Sequence, residues 1–179
     1  DLRQLRRASF RLPSHASQPG EEFPLAPQEL LQPLAGEQHG GQIILGPHAA
    51  QVQLDPELAA HGLIFTDFAS ALLQYPELVE RVLGKIVRPD EGKFAAMAAA
   101  LAQQGVFVYV PRGVQVEQPL HSILWGPGVD LAYFSHILVL VDQGASLTYV
   151  HESASQTEPS GQTMHAGIIE LAVESGGNL

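Results

Sequence analysis

The sequence predicts a mainly β protein, a β-solenoid of stacked short-strand coils preceded by a small α/β region with two helices. Three observations predict it. First, one unit recurs: apolar, any residue, Val, two turn residues, Gly, two residues, apolar. It places Gly113, Gly144 and Gly176 at matching positions thirty-one and then thirty-two residues apart. Glycine supplies the positive φ of a tight corner, and a fixed period of this length marks stacked repeats that share one core. Second, runs such as Ile137-Leu-Val-Leu-Val141 are apolar at consecutive positions, which suits strands covered on both faces. Third, two stripes of helical period precede Gly105. An antiparallel sandwich also spaces its strands regularly, and the three matched corners favour the solenoid over it.

Residues 1–40 form an N-terminal arm. Leu2, Leu5 and Phe10 interleave with arginines, then Pro13, Gly20, Pro24, Pro27 and Pro33 break every period, so a short helical end should lead into extended chain. Residues 41–104 form the α/β region, with strands over 42–45, 51–54 and 62–65 separated by Gly46-Pro47 and Pro56. Its first helix starts at Pro76, carries Leu78, Val79, Val82, Leu83 and Ile86 on one stripe, and loosens at Gly84. Its second carries Phe94, Met97, Ala98 and Leu101, with Gly105 as its C-cap. Both stripes read as core packing. Residues 105–179 are the first coils of the β-helix core, and the polar stretch 153–163 reads as a mobile insertion between coils.

Composition bounds the function. With 45% hydrophobic and 16% charged residues, the chain of 179 can bury the core of one compact domain. Four of its nine Lys and Arg lie in the first eleven positions, leaving five cations against 18 carboxylates in the remainder. That balance argues against a nucleic-acid partner, which needs a cationic face. The absence of cysteine excludes disulfides, thiolate metal sites, cysteine nucleophiles and the usual ligands of an iron–sulfur cluster within these residues. No signal-like segment opens the chain and no apolar run reaches the ~18–20 residues that span a bilayer, so a cytoplasmic protein that does not contact membranes is expected. The chain starts at Asp1 without Met and stops at Leu179 inside a strand-like pattern, which predicts a piece of a longer protein.

The candidate chemistry is sparse. His121, His136, His151 and His165 are spaced by 15, 15 and 14 residues, so His121 with His151 and His136 with His165 could form two columns near a shared metal. Their offsets of 30 and 29 fall short of the repeat, however, and a slip of one residue turns a strand side chain to the opposite face. Singly hydrogen-bonded histidines are therefore favoured. A cupin-like metal-dependent enzyme using His136, His151 and Glu152 is the alternative, although the close His-X-His pair of such sites is missing. Gly84-Lys85 and Gly92-Lys93 lack the hydroxyl residue and leading glycine of a nucleotide-binding loop, so ATP hydrolysis would belong to a partner. Ser160-Gly161 and Ser175-Gly176 lack a nucleophile elbow. Asp142 and Glu174 sit at corners of the repeat, unlike the carboxylate clusters of polysaccharide-active β-helices. No residue is assigned a catalytic, cofactor-binding or metal-binding role.

Specific strings add to this reading. Gly62-Leu-Ile-Phe-Thr-Asp67, Tyr75-Pro-Glu-Leu-Val79 and Lys93-Phe-Ala-Ala96 come first, followed by Gly105-Val-Phe-Val-Tyr-Val-Pro-Arg-Gly-Val114 and Glu117-Gln-Pro-Leu120. In that order they resemble the SufB/SufD family of iron–sulfur cluster assembly scaffold proteins, over roughly residues 62–179. Val116–Leu120 and Gly144–Tyr149 are more similar to SufD, and SufB tends to carry a Gly-Cys pair where this chain has His151-Glu152-Ser153. Lys93–Met97 departs from the Leu-Asn pair common in both. The resemblance implies a right-handed parallel β-helix and a cytoplasmic complex with SufB-like and SufC-like (ATPase) partners. It implies a non-catalytic scaffold, with an iron–sulfur cluster held only transiently at the level of the complex. It also implies that the cysteine and histidine of cluster building, and the segment that docks the ATPase, lie in a C-terminal part beyond these residues. An exposed last coil would further favour self-association.

Overall fold

The computed structural model describes residues 9–13, 23–34 and 38–179; the expected helical end and part of the arm lie outside the described residues. After a 3-10 turn at Gln28–Leu31 come strands β1 (Gly41–Leu45) and β2 (Ala50–Leu54), helix α1 (Pro56–Ala60) and strand β3 (Ile64–Asp67). Helices α2 (Phe68–Gln74), α3 (Pro76–Glu80) and α4 (Lys93–Leu101) follow. The chain then runs through β4 (Gln104–Val110), β5 (Leu120–Trp125), β6 (Ala132–Val141), β7 (Tyr149–Ala154) and β8 (Met164–Val173).

The strands form two mixed four-stranded sheets, ordered β2-β1-β5-β7 and β3-β4-β6-β8, and neither closes into a barrel. In each sheet three strands are parallel. Val108 pairs with Val139, and Val139 with Leu171, so the second sheet advances by 31 and then 32 residues per strand. β2 and β3 instead pair antiparallel onto β1 and β4, covering one edge of each parallel ladder. The corners stack as the glycine pattern predicts. Gly113, Gly144 and Gly176 have φ of 75°, 65° and 70°, and Gly113 N donates to Gln143 O at 3.0 Å while Gly144 N donates to Ser175 O at 3.1 Å.

All ten residues of β6 are buried, because both of its faces are covered. One face carries Ile137, Val139 and Val141 into the core between the sheets, where they join Ile43, Leu120 and Leu124. The other carries Leu138 and Leu140, with Phe107 of β4, under Phe68, Ala71, Val79 and Val82 from the helical region. Helices therefore cover one sheet from outside, and the core fills the space between the two.

Four short α-helices stand among the described residues where the sequence predicts two. Asp55 and Asp67 start the unforeseen pair: Asp55 Oδ1 accepts from Glu57 N at 2.8 Å, ahead of Pro56, and Asp67 Oδ1 accepts from Ser70 N at 2.9 Å. The helix expected from Pro76 through Ile86 ends at Glu80, because Gly84 turns with φ of 68° and the amides beyond it bond to Glu170. Gly105 is not a C-cap but a residue of β4, where its backbone lies against that of His136. The 153–163 stretch is docked, with Gly128 N donating to Glu158 Oε1 at 2.7 Å and Thr163 Oγ1 donating to Gly128 O at 2.8 Å. No described helix is long and apolar enough to cross a membrane.

Glycine positions test this packing. A Cβ at Gly144 meets nothing within 4 Å, so Gly144→Ala carries only the left-handed backbone penalty, about 1–2 kcal/mol of stability. A Cβ at Gly105 would lie 1.9 Å from His136 O, so Gly105→Ala should destabilise by more than about 3 kcal/mol. Denaturant unfolding of the two variants reads the order; equal losses would contradict the close β4–β6 approach.

Candidate functional site: three histidine clusters

The register disperses the histidine columns that the spacing allowed but the sequence reading did not favour. β5 and β7 pair at an offset of 29, so His121 lies opposite Val150 and His151 opposite Ser122. The cause is local, since Gln115 still bridges Ser146 at the full repeat of 31. The stretch 116–119 then spends two residues more than 147–148 before the next strand begins. His136 pairs with Ile168 and His165 with Tyr133. Nor do His136, His151 and Glu152 converge: His136 belongs to a different sheet, and the adjacent residues 151 and 152 alternate to opposite faces of β7. Among the described residues, no group of three or more His, Asp or Glu is arranged to hold a metal ion.

The first cluster lies under the helices. His136 Nε2 is 2.7 Å from Glu170 Oε1, both side chains are nearly fully buried, and the His136 ring stacks on Phe68 at 5.5 Å. Glu170 also accepts from Gly84 N at 2.8 Å, Ile86 N at 2.9 Å and Val87 N at 3.1 Å. Burial pushes its carboxyl pKa up, but the three backbone amides and His136 outweigh burial and hold it below the usual value. One carboxylate thus fastens the 84–87 turn to β8. Sequence reasoning missed it, although Glu170 alternates with Ile169 and Leu171 and stands at a position where β6 carries Leu138.

The second cluster lies on the outer face of the other sheet. His121 Nε2 is 2.8 Å from Glu152 Oε2, and its Nδ1 is 3.2 Å from Gln42 Nε2. The same Gln42 Nε2 lies 3.3 Å from His39 Nδ1 and donates to Leu31 O at 3.0 Å. The His39 and His121 rings are 4.6 Å apart. Burial and the neighbouring His121 lower the His39 pKa.

The third cluster points between the sheets. Ser122 Oγ lies 2.5 Å from Tyr149 Oη and 2.8 Å from His151 Nδ1. Burial, and then repulsion from His121, hold the His151 pKa at about 4, so this imidazole is neutral at neutral pH. His165 packs against Tyr133 at 5.3 Å, and burial lowers its pKa. Burial keeps these imidazoles neutral and makes them resist protonation.

Residues 48–121 match the family described as the SufBD protein N-terminal region. The chain is 39% identical over 111 residues to the iron–sulfur cluster assembly protein SufD of Bacillus subtilis, covering 62% of this chain and 25% of the relative. To the SufB protein of the same organism it is 33% identical over 121 residues, covering 68% and 26%. To a SufBD family protein of Synechocystis sp. it is 31% identical over 115 residues, covering 64% and 24%. The matched stretch spans about a quarter of the length of these relatives.

Glu170 yields a prediction with a definite sign. Its folded-state pKa is depressed, so its contribution is present above the ordinary carboxylate value of 4.5 and is lost as pH falls through the lower folded value. Protection of the Gly84, Ile86 and Val87 amides, taken relative to their intrinsic exchange at each pH, should fall over that acid range. Glu170→Gln should lose about 3–5 kcal/mol, as when one partner of a buried pair is removed, and should abolish the pH dependence at these amides. Unchanged protection in the variant would contradict the role given to the carboxylate.

Proposed function

This chain belongs to the SufB/SufD family of iron–sulfur cluster assembly proteins, and we propose that it serves as a scaffold part of a SUF-type assembly complex, non-catalytic by itself. The observation that carries the reading is the pair of parallel ladders in a chain of this family. Ile169, Leu171 and Val173 of β8 stand in register with the buried Ile137, Val139 and Val141, yet are 49%, 47% and 45% exposed. An outermost strand with this inner face is suited to receive further strands.

On this reading the ladders are the first coils of a right-handed parallel β-helix over 105–179, after an arm over 1–40 and an α/β region over 41–104. The branch is SufD more than SufB, in keeping with the higher identity to the Bacillus subtilis SufD. The partners are SufB-like and SufC-like proteins in the cytoplasm, with self-association through the exposed β8 face and with neither nucleic acid nor membrane. The cluster is cargo of the complex and has no resident ligands among these residues, which contain no cysteine. The cupin-like alternative is not favoured, because His136, His151 and Glu152 do not converge.

Isolation of the tagged native protein from its own cells tests the proposal. Co-purification with a SufB-like subunit and a SufC-like ATPase, without stoichiometric metal on this chain, is the expected outcome. Isolation alone with one equivalent of metal, lost on His136→Ala or His151→Ala, would replace the scaffold with the metal-dependent enzyme.

A further inference from the structure

Each layer of the stack takes one strand from each sheet, and a corner has to join the two. Residues 126–131 carry β5 into β6, and residues 155–163 carry β7 into β8. The layer of β1 and β4 has no such corner. β1 turns back into β2 through Gly46–Ala49, and β4 is entered from α4. Arg11 of the arm takes the place of one corner residue: its N donates to Asp130 O and its O accepts from Ala132 N, both at 2.9 Å. The arm fills only part of the gap. A cavity of about 410 Å³ remains, with Leu12 and Pro13 on one wall, the end of β1 on another and the start of β4 on a third.

Carbon surface dominates the remaining walls. Leu45, Phe68, Leu101, Tyr133 and Phe134 supply it from four elements, and the Phe68 ring is held in place by its stacking on His136 at 5.5 Å. The polar side chains are few. Gln104 Nε2 donates to Gly46 O, and a carbonyl oxygen can only accept, so this bond fixes which way the Gln104 amide is turned. Gln104 Oε1 is thereby left buried without a partner among the described residues, an acceptor that has lost its water and gained no donor. Asp67, which caps α2, adds a carboxylate, with its Oδ1 accepting from Ser70 N at 2.9 Å. His48 adds an imidazole, its ring against Phe23 at 5.2 Å. No Lys or Arg stands among the described lining residues.

We propose that the cavity at this missing corner binds a small aromatic cation that carries N–H donors. Its volume lies within the roughly 300–1,000 Å³ of small-molecule sites, which combine apolar walls with a few polar groups that fix orientation. The walls suit a flat ring, and the Gln104 Oε1 acceptor calls for an N–H. Charge decides the rest. A carboxylate or phosphate guest would meet Asp67 and find neither Lys nor Arg, whereas a cation gains the Asp67 carboxylate and the aromatic rings of the wall. The net charge of −10 on the whole chain draws cations in the same sense.

Titration of the isotope-labelled chain with benzamidine, followed by NMR, tests the site, with benzoate as the anion of the same shape. Benzamidine should shift the backbone amides of Gly46, Gly105 and Phe134 and the side-chain amide of Gln104, and benzoate at the same concentration should not. Gln104→Met keeps the bulk of the side chain without the acceptor and should weaken benzamidine by at least about tenfold, as for a lost hydrogen bond to a charged group. Asp67→Asn can still cap α2 but carries no charge, and should weaken it roughly threefold, as for a partly exposed ion pair. Should Gln104→Met lose amide protection in β6, the benzoate comparison and Asp67→Asn carry the test. A cavity that holds water alone would give no shift at these residues. That result, equal shifts with benzoate, or unchanged affinity in a folded variant would each overturn the proposal.

Discussion

A parallel strand must find every amide and carbonyl partner on a neighbour that repeats its own spacing, and that requirement governs the rest of this structure. The advance of 31 and then 32 residues along β4, β6 and β8 meets it, with the glycine corners as the points where the chain turns at constant pitch. Where the spacing changes, the chain compensates. The two extra residues of 116–119 shorten the β5–β7 offset to 29, and the longer connection from β7 to β8 restores the 32-residue step. The antiparallel strands β2 and β3 cover one end of each parallel ladder, and β7 and β8 are the outermost parallel strands at the other.

The ladders also dictate where polar chemistry sits. Alternation along β8 turns Ile169, Leu171 and Val173 inward and places Glu170 beneath the helical region, where a carboxylate is tolerable only with its lone pairs filled. Three amides of the 84–87 turn and His136 fill them. The helical cover is therefore held by one buried anion as well as by the apolar contacts of Phe68, Ala71, Val79 and Val82. The His39–Gln42–His121 junction on the opposite sheet is the reverse case, a half-buried polar group with more contacts than N–H bonds to serve them.

The strand ladder was legible in the sequence because its cause is periodic: glycine corners and consecutive apolar residues repeat at the pitch of the stack. The family was legible from the strings between Gly62 and Leu120. The helical region was less so. Asp55-Pro56 and Asp67-x-x-Ser70 are local N-terminal signals overlooked beside short apolar runs, and the early end of α3 depends on Glu170, ninety residues away from its last residue. Histidine positions were illegible for a similar reason. Whether His121 meets His151 is decided by the length of the connection at 116–119, which no side-chain pattern announces. The docking of 153–163 rests on Glu158 and Thr163 finding the backbone of Gly128, a contact invisible to composition.

The central claim is the register of the stacked corners, and engineered cysteines measure it in a chain that has none of its own. Gln115 bridges Ser146 in parallel, so their Cα atoms lie within about 5 Å, inside the range a disulfide spans. Mild oxidation of Gln115→Cys/Ser146→Cys should close an intramolecular disulfide, seen as faster migration of the monomer on non-reducing electrophoresis. The control Gln115→Cys/Thr148→Cys, moved along the strand on the same face, should remain reduced. Efficient closure of the shifted pair with none of the first would contradict the 31-residue register and the account built on it.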